Sequence, residues 1–149
     1  GSARVFGSAR VFGSARVFDS AQVCGSARVF GSARVFGSAR VFGSARLTND
    51  MVLDRSDGYV VMQGIGSEHR AATAAWDCVR RALCARVGCW YGTLDELRQR
   101  IAEGGDHGWP DDVAGKYRTQ YESFITVAAL IDEPSVWPPA APWDAGGMS

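Results

Sequence analysis

The sequence predicts a β-solenoid followed by a small α+β capping domain. Three observations carry that expectation. Residues 1–48 are eight tandem hexads, most of them reading GSARVF. Within each hexad, Ala-Arg-Val-Phe alternates between two faces while Gly-Ser supplies a corner. After residue 48 the repeat stops, and hairpin and helix-cap signals take its place. The division is 1–48 for the repeat, 49–133 for the α+β unit and 134–149 for a Pro-rich tail.

Period six argues against a coiled coil, which needs seven, and Gly at every sixth position weakens any helix. Four-residue strands joined by two-residue corners describe a parallel solenoid instead. Ala3, Ala9 and Ala15, with Val5, Val11, Val17 and their successors to Leu47, point inward. Arg and Phe point outward. The small–x–aliphatic pattern resembles the hexapeptide repeat of left-handed parallel β-helices. That resemblance implies three hexads per triangular coil, with coils stacked ~4.8 Å apart.

Three hexads per coil set the columns. Arg10, Arg28 and Arg46 fall in one, Phe12 and Phe30 in another, Phe18 and Phe36 in a third. The altered hexad, DSAQVC at 19–24, places Gln22 between Arg4 and Arg40, and Cys24 between Phe6 and Phe42. It relieves like-charge stacking at a central position; drift during duplication is the competing account. The candidate partner-binding residues are Arg10, Phe12, Arg16, Phe18, Arg28, Phe30, Arg34 and Phe36. The alternative for them is a mere surface ladder. A solenoid this short needs a cap. The second unit provides one at the C-terminal end, and the N-terminal end predicts association of chains or further hexads upstream.

In the second unit Asp57-Gly58 reads as a turn and Tyr59-Val60-Val61-Met62 as a strand that continues the last coil. Residues 72–89 are ambiguous. Ala72, Trp76, Val79, Leu83 and Val87 have helical spacing, yet Leu83, Ala85, Val87 and Cys89 alternate. GTLDELRQRIAEGG reads as a helix with Thr93 and Glu96 as a capping box and Gly104-Gly105 as its stop. A second helix has Asp111 or Asp112 as cap and Tyr117, Tyr121, Phe124, Ala128 and Ile131 as core face. Pro134 ends it. Trp137 and Trp143 in the tail are either anchored or exposed.

The segments IGS, GCWYGTLDEL and YRTQYESFITVAAL together resemble the C-terminal domain of a group of bacteriophage and prophage hexapeptide-repeat proteins. There the pattern is IGS, a hairpin, GCF-x-GTLDEF and a final helix. This chain departs at Trp90, at Val87 where a Cys is usual, and by an insertion around Asp106–Gly115. The resemblance implies strands near 72–78 and 82–90, against local propensity, and a phage origin. It implies no activity.

Charge is split. Residues 1–48 hold seven Arg and one Asp, +6; residues 49–149 hold nine Lys/Arg and fifteen Asp/Glu, −6. The halves are oppositely charged modules able to attract each other. No apolar run is long enough for a membrane span, no signal peptide is visible, and no membrane partner is expected. Cys24, Cys78, Cys84 and Cys89 lack zinc spacing and read as reduced, mostly buried thiols. The expectation is a non-enzymatic module with no catalytic, cofactor or metal site. It self-associates through the open end or the Phe/Arg faces, or binds a host or virion protein, in the host cytoplasm or virion. Nucleic-acid binding by the Arg/Phe columns is the alternative. An acyltransferase is disfavoured because the repeat holds no His; His69 and His107 both lie beyond it. Cys89 with His107 reads as a buried thiol and a solvated loop rather than a nucleophile or metal pair.

Overall fold

The computed structural model describes residues 2–66, 70–103, 111–134 and 137. The chain is mostly β, with parallel strands in regular repeat and two helices toward its C-terminus. Each hexad contributes one short strand. These are β1 (Arg4–Val5), β2 (Arg10–Val11), β3 (Arg16–Val17), β4 (Gln22–Val23), β5 (Arg28–Val29), β6 (Arg34–Val35), β7 (Arg40–Val41) and β8 (Arg46–Leu47). The strand in each is two residues, not the expected four, although backbone bonding between repeats continues beyond it, from the Phe12 N–H to the Val29 carbonyl at 3.0 Å and from the Ser14 N–H to the Gly31 carbonyl at 2.9 Å.

Each of β1 to β6 pairs in parallel with the strand eighteen residues on, which gives the orders β1-β4-β7 and β2-β5-β8. The third order, β3-β6, runs on into β9 (Met51–Leu53). Ala21, Val23, Ala27, Val29 and their successors fill a common interior. Glycine is demanded at the corners by stacking as well as by φ. Gly31 has φ +65, and a Cβ there would lie 2.7 Å from the Asn49 nitrogen. Asp19, in the altered hexad, takes the same corner conformation at φ 57 and accepts a 3.2 Å hydrogen bond from the Gly37 N–H. A short Asp side chain tolerates that region.

The parallel register thus extends past residue 48. Met51 and Leu53 take the positions that Ala and Val hold elsewhere, and both are buried in the repeat interior. Tyr59–Met62, expected to continue the repeat, does not. It belongs to β10 (Tyr59–Ile65), which pairs antiparallel with β11 (Arg70–Asp77). The ambiguous stretch is strand: β11 pairs with β12 (Ala82–Val87), and β12 with β13 (Trp90–Thr93). β11 also pairs antiparallel with β9, which joins the parallel and antiparallel parts into one sheet.

Alternation along β11 serves two cores at once. Ala75 packs into the repeat interior, while Ala72 and Ala74 belong to a second cluster with Leu94, Leu97, Phe124 and Ala128. That second cluster is closed by α1 (Leu94–Ala102) and α2 (Asp111–Ala128). Thr93 and Glu96 form the expected capping box. Gly104 and Gly105 lie outside the described residues. On α2, Phe124 and Ala128 are buried, Tyr117 and Tyr121 half-buried. The helix stops at Ala128, six residues before Pro134. Its successors have other partners: the Trp76 indole donates to the Ile131 carbonyl at 3.1 Å, and Arg55 donates to the carbonyls of Asp132 and Glu133.

Candidate partner-binding faces

The described chain gives the three sides of the repeat module different fates. On the β3-β6-β9 side, β11 adds to the sheet. Arg34 and Phe36 are only 6% and 7% exposed there. These two expected binding residues are therefore packing residues, although Phe36 still stacks on Phe18 at 5.1 Å and 4°. Arg16 pairs in register with Arg34, at the outer edge of that side.

The β2-β5-β8 side keeps the expected face. Arg10, Arg28 and Arg46 stand in direct register, and none forms an ion pair with a carboxylate among the described residues. Like charges so aligned repel. Phe12 and Phe30 stack beside them at 5.0 Å and 2°. Arg86 of β12 adds a cation over the Phe30 ring at 5.4 Å and is held by donating from Nε to the Gly88 carbonyl. Arg10, Phe12, Arg28 and Phe30 thus come together, with Arg46 and Arg86 as members the candidate set lacked. The signal for Arg86 was its place opposite Ala85 in the alternation of ALCARV.

The β1-β4-β7 side carries the altered hexad. Gln22 pairs with Arg4 on one side and Arg40 on the other. Cys24 stands between Phe6 and Phe42, as the eighteen-residue spacing requires.

The two ends of the stack also differ. At the C-terminal end the Arg46 N–H donates to Thr73 Oγ1 at 3.0 Å, and the Phe42 N–H donates to the Tyr59 hydroxyl at 3.4 Å. Sequence reasoning missed both caps, because they join residues far apart in the chain. At the other end β1, β2 and β3 are each the outermost strand of their sheet. Val5, in the first strand, is 46% exposed where Val23, one repeat further on, is fully buried.

One polar cluster lies between the repeat and the antiparallel strands. Asp77 is buried and accepts from the Tyr91 hydroxyl at 2.6 Å and from the backbone N–H groups of Val79 and Arg80 at 2.9 and 2.8 Å. Burial first, then the hydrogen bond to Asp77, pushes the Tyr91 hydroxyl pKa up. Burial also pushes the Cys84 thiol up, to about 11. A thiol so held is a poor nucleophile near neutrality. The cysteines are free, and only Cys84 is buried; Cys24 and Cys78 are half-buried. Cys89 is exposed, against expectation, because it follows the Gly88 turn rather than continuing β12. His107 and His69 lie outside the described residues. Among the described residues no group of three or more His, Cys, Asp or Glu side chains could hold a metal ion. No helix among them is long and apolar enough to cross a membrane. A groove of about 590 Å³ between α1 and α2 has Ile101 and Ile125 beside Arg98, Arg118 and Glu122. Trp137 is anchored by an edge contact with Trp76 and by Arg81 at 4.2 Å from its ring; Trp143 lies outside the described residues.

No family model matches the chain, and neither a curated protein nor a solved structure matches it.

Proposed function

We propose that this chain is a non-enzymatic binding module. Its repeat is a short left-handed parallel β-helix, and it self-associates through its Phe/Arg face on the β2-β5-β8 side. The observation that carries this reading is the opposition of charge within the chain: residues 1–48 carry +6 and residues 49–149 carry −6. The register of Arg10, Arg28 and Arg46 concentrates the positive part on one side, and Phe12, 48% exposed, adds apolar area there. Opposite fields attract. A second copy supplies the acidic partner. The resemblance to phage and prophage proteins supports action in the host cytoplasm or the virion.

Light scattering across a range of concentrations tests the association. The expected mass exceeds the 16.0 kDa of one chain. Arg10→Ala with Phe12→Ala, which removes charge and apolar area from that face, returns the protein to a monomer. A strictly monomeric wild type at high concentration overturns the self-association.

A second reading is favoured by the Arg10, Arg28 and Arg46 column, which no described carboxylate neutralises. A single-stranded nucleic acid meets that column with phosphates and the adjoining Phe12–Phe30 pair with bases. Binding that weakens with salt, and that Arg10→Glu with Arg28→Glu abolishes, is the expected result. Binding insensitive to both removes this reading.

A further inference from the structure

The altered hexad changes one corner of the repeat. Two corners carry Phe pairs stacked at 5.0 and 5.1 Å with ring planes nearly parallel, 2° and 4° apart. The remaining corner runs Phe6, Cys24, Phe42. Its register is fixed by the parallel pairing of β1, β4 and β7, by the Phe6 N–H donating to Val23 and by the Cys24 N–H donating to Val41. Phe6 and Phe42 are therefore two strand spacings apart, ~10 Å. Where each of the other corners stacks ring directly on ring, this one sets only the small Cys24 side chain between two rings, a spacing that one planar ring would fill. Phe6 and Phe42 are 50% and 60% exposed, and the half-buried Cys24 thiol lies between them.

Beside this corner stand Arg4, Gln22 and Arg40. Both Arg side chains are exposed and form no ion pair with a described carboxylate. An aliphatic group would fill the gap and leave these charges unanswered. A Phe from the repeat of a second copy would bring its own Arg, two residues before it, against them. A nucleotide within a strand satisfies both demands, with a planar base for the gap and a phosphate on either side. Gln22, carrying a donor and an acceptor, replaces the Arg that would otherwise face the base.

We infer that Phe6, Cys24 and Phe42 form a slot for one base of a single-stranded nucleic acid, with Gln22 at the base edge and Arg4 and Arg40 on the flanking phosphates. This rests on the nucleic-acid reading above, and it adds where and how a base is held.

The test compares two labelled strands of equal length, oligodeoxyadenylate and a fully abasic strand, binding to the full chain at low salt. The wild type is expected to bind the base-bearing strand roughly tenfold more tightly. Cys24→Phe, which restores the hexad's own residue and fills the gap without changing charge, should bring the two affinities together. Its thermal unfolding at or above the wild-type temperature establishes that the fold is intact. Phe42→Ala, at an exposed position, should give the same equalisation. Arg10→Glu with Arg28→Glu should weaken both strands together. Equal wild-type affinities, or a preference that survives Cys24→Phe, overturns the slot and leaves the basic face standing. No binding of either strand overturns both. Displacement by polyglutamate as effective as by oligodeoxyadenylate assigns the face to an acidic protein and overturns the slot.

Discussion

At the scale of single residues, buried Asp77 ties the turn after β11 to Tyr91 of β13. Its two oxygens accept three hydrogen bonds, one from Tyr91 and two from the turn that leads into β12. That turn needs help, because Arg81 sits at φ 55. Asp77→Ala leaves a buried hydroxyl and two turn N–H groups without their acceptor. The expected loss is about 3 kcal/mol in denaturant unfolding. Cys84, nearby, gives an ordered prediction. A thiol reagent should modify exposed Cys89 first and Cys84 last, the latter only on unfolding, as mass spectrometry of partly labelled protein would reveal. The fold favours the protonated Cys84 thiol, whose pKa is raised from 9.0 to about 11. That contribution is complete below the unfolded value and is lost as pH rises through the folded one. Stability should therefore fall between about pH 9 and pH 11, less steeply in Cys84→Ala. Alkaline denaturation curves of the two proteins check it.

At the scale of elements, what was legible depended on where each element finds its partners. The start of α1 was legible because its reasons are local. Thr93 accepts from the Glu96 N–H at 3.1 Å, and Glu96 accepts from the Thr93 N–H at 2.8 Å. Thr93→Ala should cost about 1 kcal/mol in denaturant unfolding. The hydrogen bond from the Thr93 backbone holds the Glu96 carboxyl below its ordinary pKa, with Arg80 adding to the effect. A lowered carboxyl contributes stability above its unfolded value and loses it as pH falls through the folded one. The stability gap between wild type and Glu96→Gln should accordingly close below about pH 4, which acid titration of unfolding would follow. The end of α2 was illegible because its reasons are distant, in Trp76 and Arg55. β11 was legible only through the phage-protein resemblance. Its Ala-rich sequence suits a helix, but pairing with β9, β10 and β12 and small side chains between two cores outweigh local preference. The columns of the candidate site followed from the period and alternation together with the three hexads per coil that the β-helix resemblance implied. The burial of Arg34 and Phe36 could not, because near-identical hexads do not say which side the second unit will cover.

At the scale of the whole molecule, the second unit breaks a symmetry that the repeat leaves open. β9 and β11 fix one side, so every hexad's side is counted backward from Met51 in steps of three. Register is then a discrete quantity, and changing it by one hexad moves the altered copy to another side. Deleting residues 25–30 removes one ordinary GSARVF and leaves every other residue type in place. Counted from β9, DSAQVC then stacks against the hexad that ends in Thr48, so Cys24 lies between Phe6 and Thr48. Phe18 comes to stack on Phe42. The aromatic slot is gone, although the chain has lost only one Arg and one Phe. Inserting three GSARVF copies between Phe42 and Gly43 is the matched opposite. It adds one complete repeat of eighteen residues and keeps Cys24 between Phe6 and Phe42. Both variants should unfold cooperatively, since each hexad still meets others of the same pattern. The deletion should lose the preference for base-bearing over abasic strands, and the insertion should keep it. A deletion variant that retains the preference would place base recognition elsewhere on the repeat.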